Sequence, residues 1–149
     1  MRQERRVTRE EIVAQARTWL GTPYHHQASV RGVGCDCLGL LRGVWREVYG
    51  IEAEVPPPYT RDWAEAQGRE DLMAGAARHL RRCAVSVMCP GDVLVFRLRD
   101  AVPAKHVGLL VTPVSFIHAV EGAPACEISL QHWWRRRIAA VFAFPGVDD

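Results

Sequence analysis

The sequence predicts an α+β domain, and three observations carry that reading. Apolar residues in the first half recur at helical spacing, whereas after "CPGD" (Cys89–Asp92) the chain turns to short runs of branched and aromatic residues. No internal repeat, linker or low-complexity stretch divides the 149 residues, so 1–149 is read as one domain. A chain of that length, 48% hydrophobic, can bury a core without disulfide staples.

The elements follow in order. Thr8 and Glu11 have the spacing of a capping box, and Ile12, Val13, Ala16, Trp19 and Leu20 continue one helical face up to Gly21. "GTPYHHQASVRGVG" has no sustained period and reads as a loop, and a loop of that length inside a compact domain is commonly functional. From Cys37, residues Leu41, Val44, Trp45 and Val48 obey the i, i+3, i+4, i+7 rule, and Gly50 suits the C-terminal cap. "EVPPPYT" excludes regular structure, because three prolines remove consecutive donors. A third helix is expected from about Asp62 to Arg82, carrying Leu72, Met73, Ala76, Ala77 and Leu80. Then come four strands, "VLVFRL", "HVGLLV", "SFIHAV" and "IAAVFAF". Helices followed by an antiparallel sheet complete the α+β arrangement.

Charge and composition narrow the function. A formal charge of +2 is far from that of a dedicated nucleic-acid binder, and the runs Arg81-Arg82 and Arg135-Arg136-Arg137 read as solvated faces. No stretch reaches the roughly 18 apolar residues of a membrane span, and no apolar core follows "MRQERRVTREEIV", so synthesis in the cytoplasm is expected. Five cysteines, an odd number without an export signal, argue for free thiols rather than a disulfide framework.

The pair Cys35 and Cys37 then poses a choice between metal ligand and nucleophile. His25, His26, Cys35 and Cys37 cluster, but Cys-x-Cys is not the usual zinc spacing and adjacent histidines rarely converge on one ion. No metal and no cofactor are expected. A helix N-terminus presents unpaired N–H donors and the positive end of its dipole, which favour a thiolate, so Cys37 is the candidate nucleophile. Cys35, one step before the first turn, reads as a small buried thiol. A thiol nucleophile needs a base, and the base needs a group that orients it. His106 and His118 lie on two consecutive strands, and in an antiparallel hairpin the faces His106–Gly108–Leu110 and Phe116–His118–Val120 bring both imidazoles together.

These residues resemble a known family. "ARTWLGTPYHH", "GCDCLGLLRGVW", "PGDVLVFR", "KHVGLLV" and "FIHAV" stand in the order found in the NlpC family of papain-like cysteine peptidases, over about Ala14 to Val120. The resemblance implies a papain-like fold with the nucleophile at a helix N-terminus packed on an antiparallel sheet. Cys37 matches the nucleophile, His106 the base and His118 the polar residue that orients it. Tyr24 matches a tyrosine beside the reacting carbonyl, and Asp36 an acidic residue tied to the substrate's amino end. The implied reaction is hydrolysis of peptidoglycan stem peptides, often between γ-D-glutamate and a diamino acid. Gln27-Ala28 replaces a Gly-Gly pair of many relatives, and Leu38 replaces a serine. The "DCLGLLRGVWREVYG" form is similar to a branch found among phage-tail and gene-transfer-agent proteins. That branch implies tail-tip or baseplate hub partners and action in the periplasm or wall of a target cell, with neither nucleic acid nor membrane as partner. Two rival readings are a peptidoglycan amidase with the same thiol chemistry and a non-catalytic tail-tip subunit.

Overall fold

The computed structural model describes residues 6–56 and 70–147. Helix α1 (Arg9–Arg17) starts at Thr8, whose Oγ1 accepts from the Glu11 N–H at 3.1 Å, and turns carry the chain on to Gly21. The loop that follows is more ordered than its sequence suggests. It contains a small antiparallel pair, β1 (Ser29–Val30) with β2 (Gly34–Cys35). Helix α2 (Cys37–Tyr49) is capped by Asp36 and closed by Gly50 in the left-handed conformation.

Helix α3 (Asp71–His79) is shorter than the expected third helix at its C-terminal end, and 62–69 lie outside the described residues. Leu80 turns extended, and β3 (Arg81–Cys83) joins the sheet instead of continuing the helix. This corrects the sequence reading: Arg81 and Arg82 decorate an edge strand, where charge keeps other chains from pairing. A single 3₁₀ turn, Val85–Val87, leads to β4 (Val93–Phe96), β5 (His106–Thr112), β6 (Ser115–His118), β7 (Cys126–Ser129), the short α4 (His132–Arg135) and β8 (Ile138–Ala143).

The six strands lie in the order β3-β8-β4-β5-β6-β7, every neighbouring pair antiparallel. Alternation in β4 and β5 sends Val93, Val95, Val107 and Leu109 toward α1 and α2, where they meet Ile12, Ala16, Trp19, Leu40 and Val44. Leu94, Phe96, Leu110 and Phe116 form a second cluster with Leu130 and Val141, against which Trp134 packs. Both sheet faces are therefore buried near the centre. Fully burying one such side chain stabilises the fold by about 1.5–3 kcal/mol.

The crossing of α1 and α2 depends on one glycine. A Cβ at Gly43 would stand 1.9 Å from Cζ2 of Trp19, so only glycine admits the buried indole. This contact sets α2 against β5, and it is α2 that delivers Cys37 to the strand carrying His106.

Candidate active site

Cys37 is the first residue of α2, and Asp36 fixes that start. One Asp36 carboxylate oxygen accepts from the Gly39 N–H at 2.7 Å and the other from the Gln27 N–H at 2.7 Å. The loop before the helix is fastened to it as well: Ser29 Oγ donates to the Gly39 carbonyl at 2.6 Å, and Arg46 holds the Ser29 carbonyl. Contact is so close that a Cβ at Gly39 would lie 1.8 Å from the Ala28 oxygen. Gln27 takes a φ of 67°, in the left-handed region that glycine enters freely, to aim its N–H at Asp36.

A cleft of about 280 Å³ opens at this helix start, lined by Tyr24, Asp36, Cys37, Lys105 and His106 among others. Cys37 Sγ stands 4.0 Å from the Lys105 carbonyl oxygen, directly before β5. Tyr24 reaches the cleft because its backbone bridges to Cys35. The five candidate residues divide accordingly. Tyr24, Asp36, Cys37 and His106 line one cleft, and His118 stands behind His106. Cys35 is fully buried in the main core. His25 lies against Gly34, and among the described residues no three His, Cys, Asp or Glu side chains are grouped to hold a metal ion.

His106 opens β5, and its Nε2 lies 3.0 Å from Nδ1 of His118 at the end of β6. The register Leu110↔Phe116 and Leu109↔Ile117 produces this diagonal pair, as the sequence expected of a hairpin. Gly108 lies between them, and a Cβ there would meet the Phe116 ring at 2.7 Å. With Nε2 engaged by His118, Nδ1 is the His106 nitrogen left to accept a proton. That requires the His106 hydrogen on Nε2, donated to the Nδ1 lone pair of His118.

The electrostatics define the resting state. Burial pushes the Cys37 thiol up to about 12, the Asp36 carboxylate pushes it the same way, and backbone groups of Val107, Leu38 and Cys37 pull it back. Burial, then the neighbouring His118, pushes His106 down to about 3, and burial pushes His118 down to about 4. The helix start thus does not yield the free thiolate that its dipole alone suggests. Desolvation and the acidic cap oppose it, and burial pushes both thiol and imidazole toward their neutral forms. Cys35 is likewise raised, to about 11, by burial and by Asp36.

Trp134 is the residue that sequence reasoning missed. Its ring stands edge-on to His118 at 5.2 Å, and it also meets His106, Phe96 and Phe116 at 5.7, 5.1 and 5.2 Å. It roofs the imidazole pair with apolar surface. Only the Trp133-Trp134 doublet hints at this in the sequence, because a four-residue helix has no periodicity to read.

A thiol at a helix N-terminus, an imidazole on the facing strand and an orienting group behind it define the papain-like class of thiol-hydrolase folds. Within that class the model of the NlpC/P60 family matches residues 21–142, and the chain belongs to this family. It is 23% identical over 137 residues to gamma-DL-glutamyl hydrolase of Bacillus subtilis (strain 168), an alignment covering 91% of this chain and 29% of that protein. It is 22% identical over 130 residues to the murein DD-endopeptidase MepS/murein LD-carboxypeptidase of Escherichia coli (strain K12), covering 87% of this chain and 59% of that protein. The chain thus spans less than two thirds of either relative. Among solved structures, the NlpC/p60 domain of peptidoglycan hydrolase SagA superposes with a TM-score of 0.69 at 22% identity, over 93% of this chain and 100% of that one. That likeness establishes the shared fold.

Proposed function

We propose that the chain is a cysteine peptidase that hydrolyses peptidoglycan stem peptides, acting through Cys37, His106 and His118. The observation that carries the reading is the convergence of Cys37 and His106 on one cleft, with His118 bonded to the far nitrogen of His106. Family membership and the hydrolase names of the relatives support the substrate class.

In this mechanism Cys37 Sγ attacks the scissile carbonyl carbon as His106 Nδ1 takes the thiol proton. Proton transfer accompanies attack, since both groups rest neutral. Charge developing on the carbonyl oxygen is met by the Cys37 backbone N–H and the Tyr24 hydroxyl at the cleft. The imidazolium is steadied by its Nε2–H bond to His118 and then protonates the departing amine. Water activated by His106 cleaves the thioester, releasing the acid and restoring the thiol.

The bond proposed is the one between γ-D-glutamate and the diamino acid, a reading in keeping with the name of the Bacillus subtilis relative. The setting proposed is a phage-tail-like particle that opens the wall locally, supported by the form of "DCLGLLRGVWREVYG". Incubation with defined muropeptides, followed by mass identification of new termini, tests the reaction. New γ-D-glutamyl carboxyl termini, absent with Cys37→Ala, are expected. Cleavage between glycan and peptide would make the protein an amidase, and intact muropeptides would leave it a binding subunit.

A further inference from the structure

The run Arg135-Arg136-Arg137, read from sequence as a solvated face, meets a second arginine pair in space. Strands β4 and β8 pair through Phe96 and Ile138 after a bulge, and the Arg97 N–H then donates to the Arg137 carbonyl at 2.8 Å. Residues 97–100 consequently leave the sheet beside residues 136–139. Between them lies a depression of about 500 Å³ lined by Arg97, Leu98, Arg99, Asp100, Arg136 and Arg137.

Two of these guanidinium groups are held in place by the fold. Arg97 is fixed by Glu70 and the Val102 carbonyl. Arg137 donates from Nε to the Leu98 carbonyl at 3.2 Å and from Nη1 to the Trp133 carbonyl at 2.7 Å, and it stacks 3.7 Å over the Trp133 ring. Its Nη2 has no protein partner among the described residues. Arg136 likewise makes no side-chain hydrogen bond or ion pair there, its backbone N–H alone bonding, to His132. Arg136 and Nη2 of Arg137 thus offer donors to this depression, and a planar guanidinium fork fits a carboxylate bidentately.

The depression also adjoins the catalytic cleft, because Leu98 lines both. We propose that it is an anion subsite that takes a free carboxylate of the peptide cut at Cys37, with Arg136 as the binding fork and Nη2 of Arg137 as a further donor. Asp100 on the same wall disfavours a polyanion and suits a single carboxylate beside a cationic or neutral group. The assignment rests on the peptidase reading above. A stem peptide carries such carboxylates on both sides of the proposed bond, one on the γ-linked glutamate and one on the diamino acid.

The test compares three forms of one peptide, L-Ala-γ-D-Glu-diaminopimelate with its C-terminal carboxyl capped as an amide so that one diaminopimelate carboxylate stays free: unmodified further, amidated also at the glutamate α-carboxylate, and amidated also at the remaining diaminopimelate carboxylate. Arg136→Gln should lower kcat/KM for the unmodified peptide roughly tenfold, the scale of one hydrogen bond to a charged group. It should change kcat/KM much less for whichever amidated form lacks the bound carboxylate, and that form identifies the source. Arg82→Gln, a charge control on the β3 edge, should leave all three rates unchanged. If Arg136→Gln lowers all three alike, or none, the subsite is overturned while the peptidase reading stands. If the wild type cleaves no form, both fall together.

Discussion

Nε2 of His106 and Nδ1 of His118 are 3.0 Å apart, and their rings meet edge to face at 75°. This contact leaves His106 with one usable nitrogen toward the cleft, so the order of importance of the two histidines follows from geometry. His106→Ala removes the proton acceptor, and kcat/KM should fall by at least the roughly 10²–10⁴-fold that a positioned base supplies. His118→Ala removes an orienting bond to a group that becomes charged, worth about 1.5–3 kcal/mol or roughly 10- to 100-fold. His118→Asn and His118→Gln keep a carbonyl acceptor and should recover part of that loss. Steady-state kinetics on one muropeptide, with folding checked by circular dichroism, decides. Equal rates for wild type and His118→Ala would make His118 a structural residue only.

The same pair makes stability depend on pH. Both histidines are buried and have folded values pushed below the ordinary 6.5, to about 3 and about 4, so between those values and 6.5 the unfolded chain binds protons that the folded chain does not. Their contribution is therefore full above 6.5 and is lost as pH falls from 6.5 toward 4. Carboxylates act lower. Glu54, held down by Arg78 and His79, and Glu127, held down by Ser115 and Arg17, lose their share only below the ordinary 4.5. Melting temperature should thus already decline between pH 6.5 and 5, and His118→Gln should flatten that part of the curve. An unchanged slope in the variant would show that His118 is not the group involved.

Two glycines should be intolerant of alanine for different reasons. Gly43→Ala drives a methyl group into the Trp19 indole, a ring that is 1% exposed and cannot move without opening the α1–α2 contact. Gly39→Ala drives one into the Ala28 backbone oxygen and forces the loop carrying Tyr24 away from α2. Overpacking of this kind costs about 1–3 kcal/mol or more. Gly43→Ala should lower stability in a denaturant titration, and Gly39→Ala should also lower kcat/KM by disturbing the cleft. Wild-type behaviour of Gly75→Ala, where a Cβ meets only Arg78 Nη2 at 3.5 Å, is the control.

The parts of this molecule that were legible in sequence are those with a local signature. Helix caps at Thr8 and Gly50 announce themselves through residue type, and the strands of the central sheet through runs of branched and aromatic residues. Proximity of His106 and His118 followed from hairpin logic, because strands joined by a short turn leave few registers. Less legible were the edges. The three residues of β3 and four of β7 are too short for a period to show, and β3 exists only because β8 offers it a partner. Long-range features had no signature at all: Trp134 covers the histidines, and Arg97 neighbours Arg137, through pairings between distant segments. The opposing pull of burial on Cys37 was hidden for the same reason, since a dipole can be read from helix position but desolvation only from what packs around the sulfur.

Asp36 joins structure and reactivity in one side chain, and a single isosteric change separates them. Its carboxylate caps α2 at the Gly39 N–H and binds the Gln27 N–H, while its negative charge, after burial, raises the Cys37 thiol. Asparagine is as good a cap as aspartate, but it presents one acceptor oxygen where aspartate has two. Asp36→Asn should therefore keep the helix start and loosen the Gln27 contact. Losing the charge should lower the Cys37 value, so alkylation by iodoacetamide should be faster than in wild type at pH 8. Asp36→Ala also removes the charge, but it gives up the cap and should lose about 1 kcal/mol of stability. Comparing the two isolates the charge effect: thiol reactivity should rise in both, and stability should fall clearly only in alanine. Digestion and mass mapping of the labelled protein assigns the reaction to Cys37 rather than to the buried Cys35. Slower alkylation of Cys37 in Asp36→Asn would mean that the carboxylate helps form the thiolate, and the neutral resting pair would be wrong.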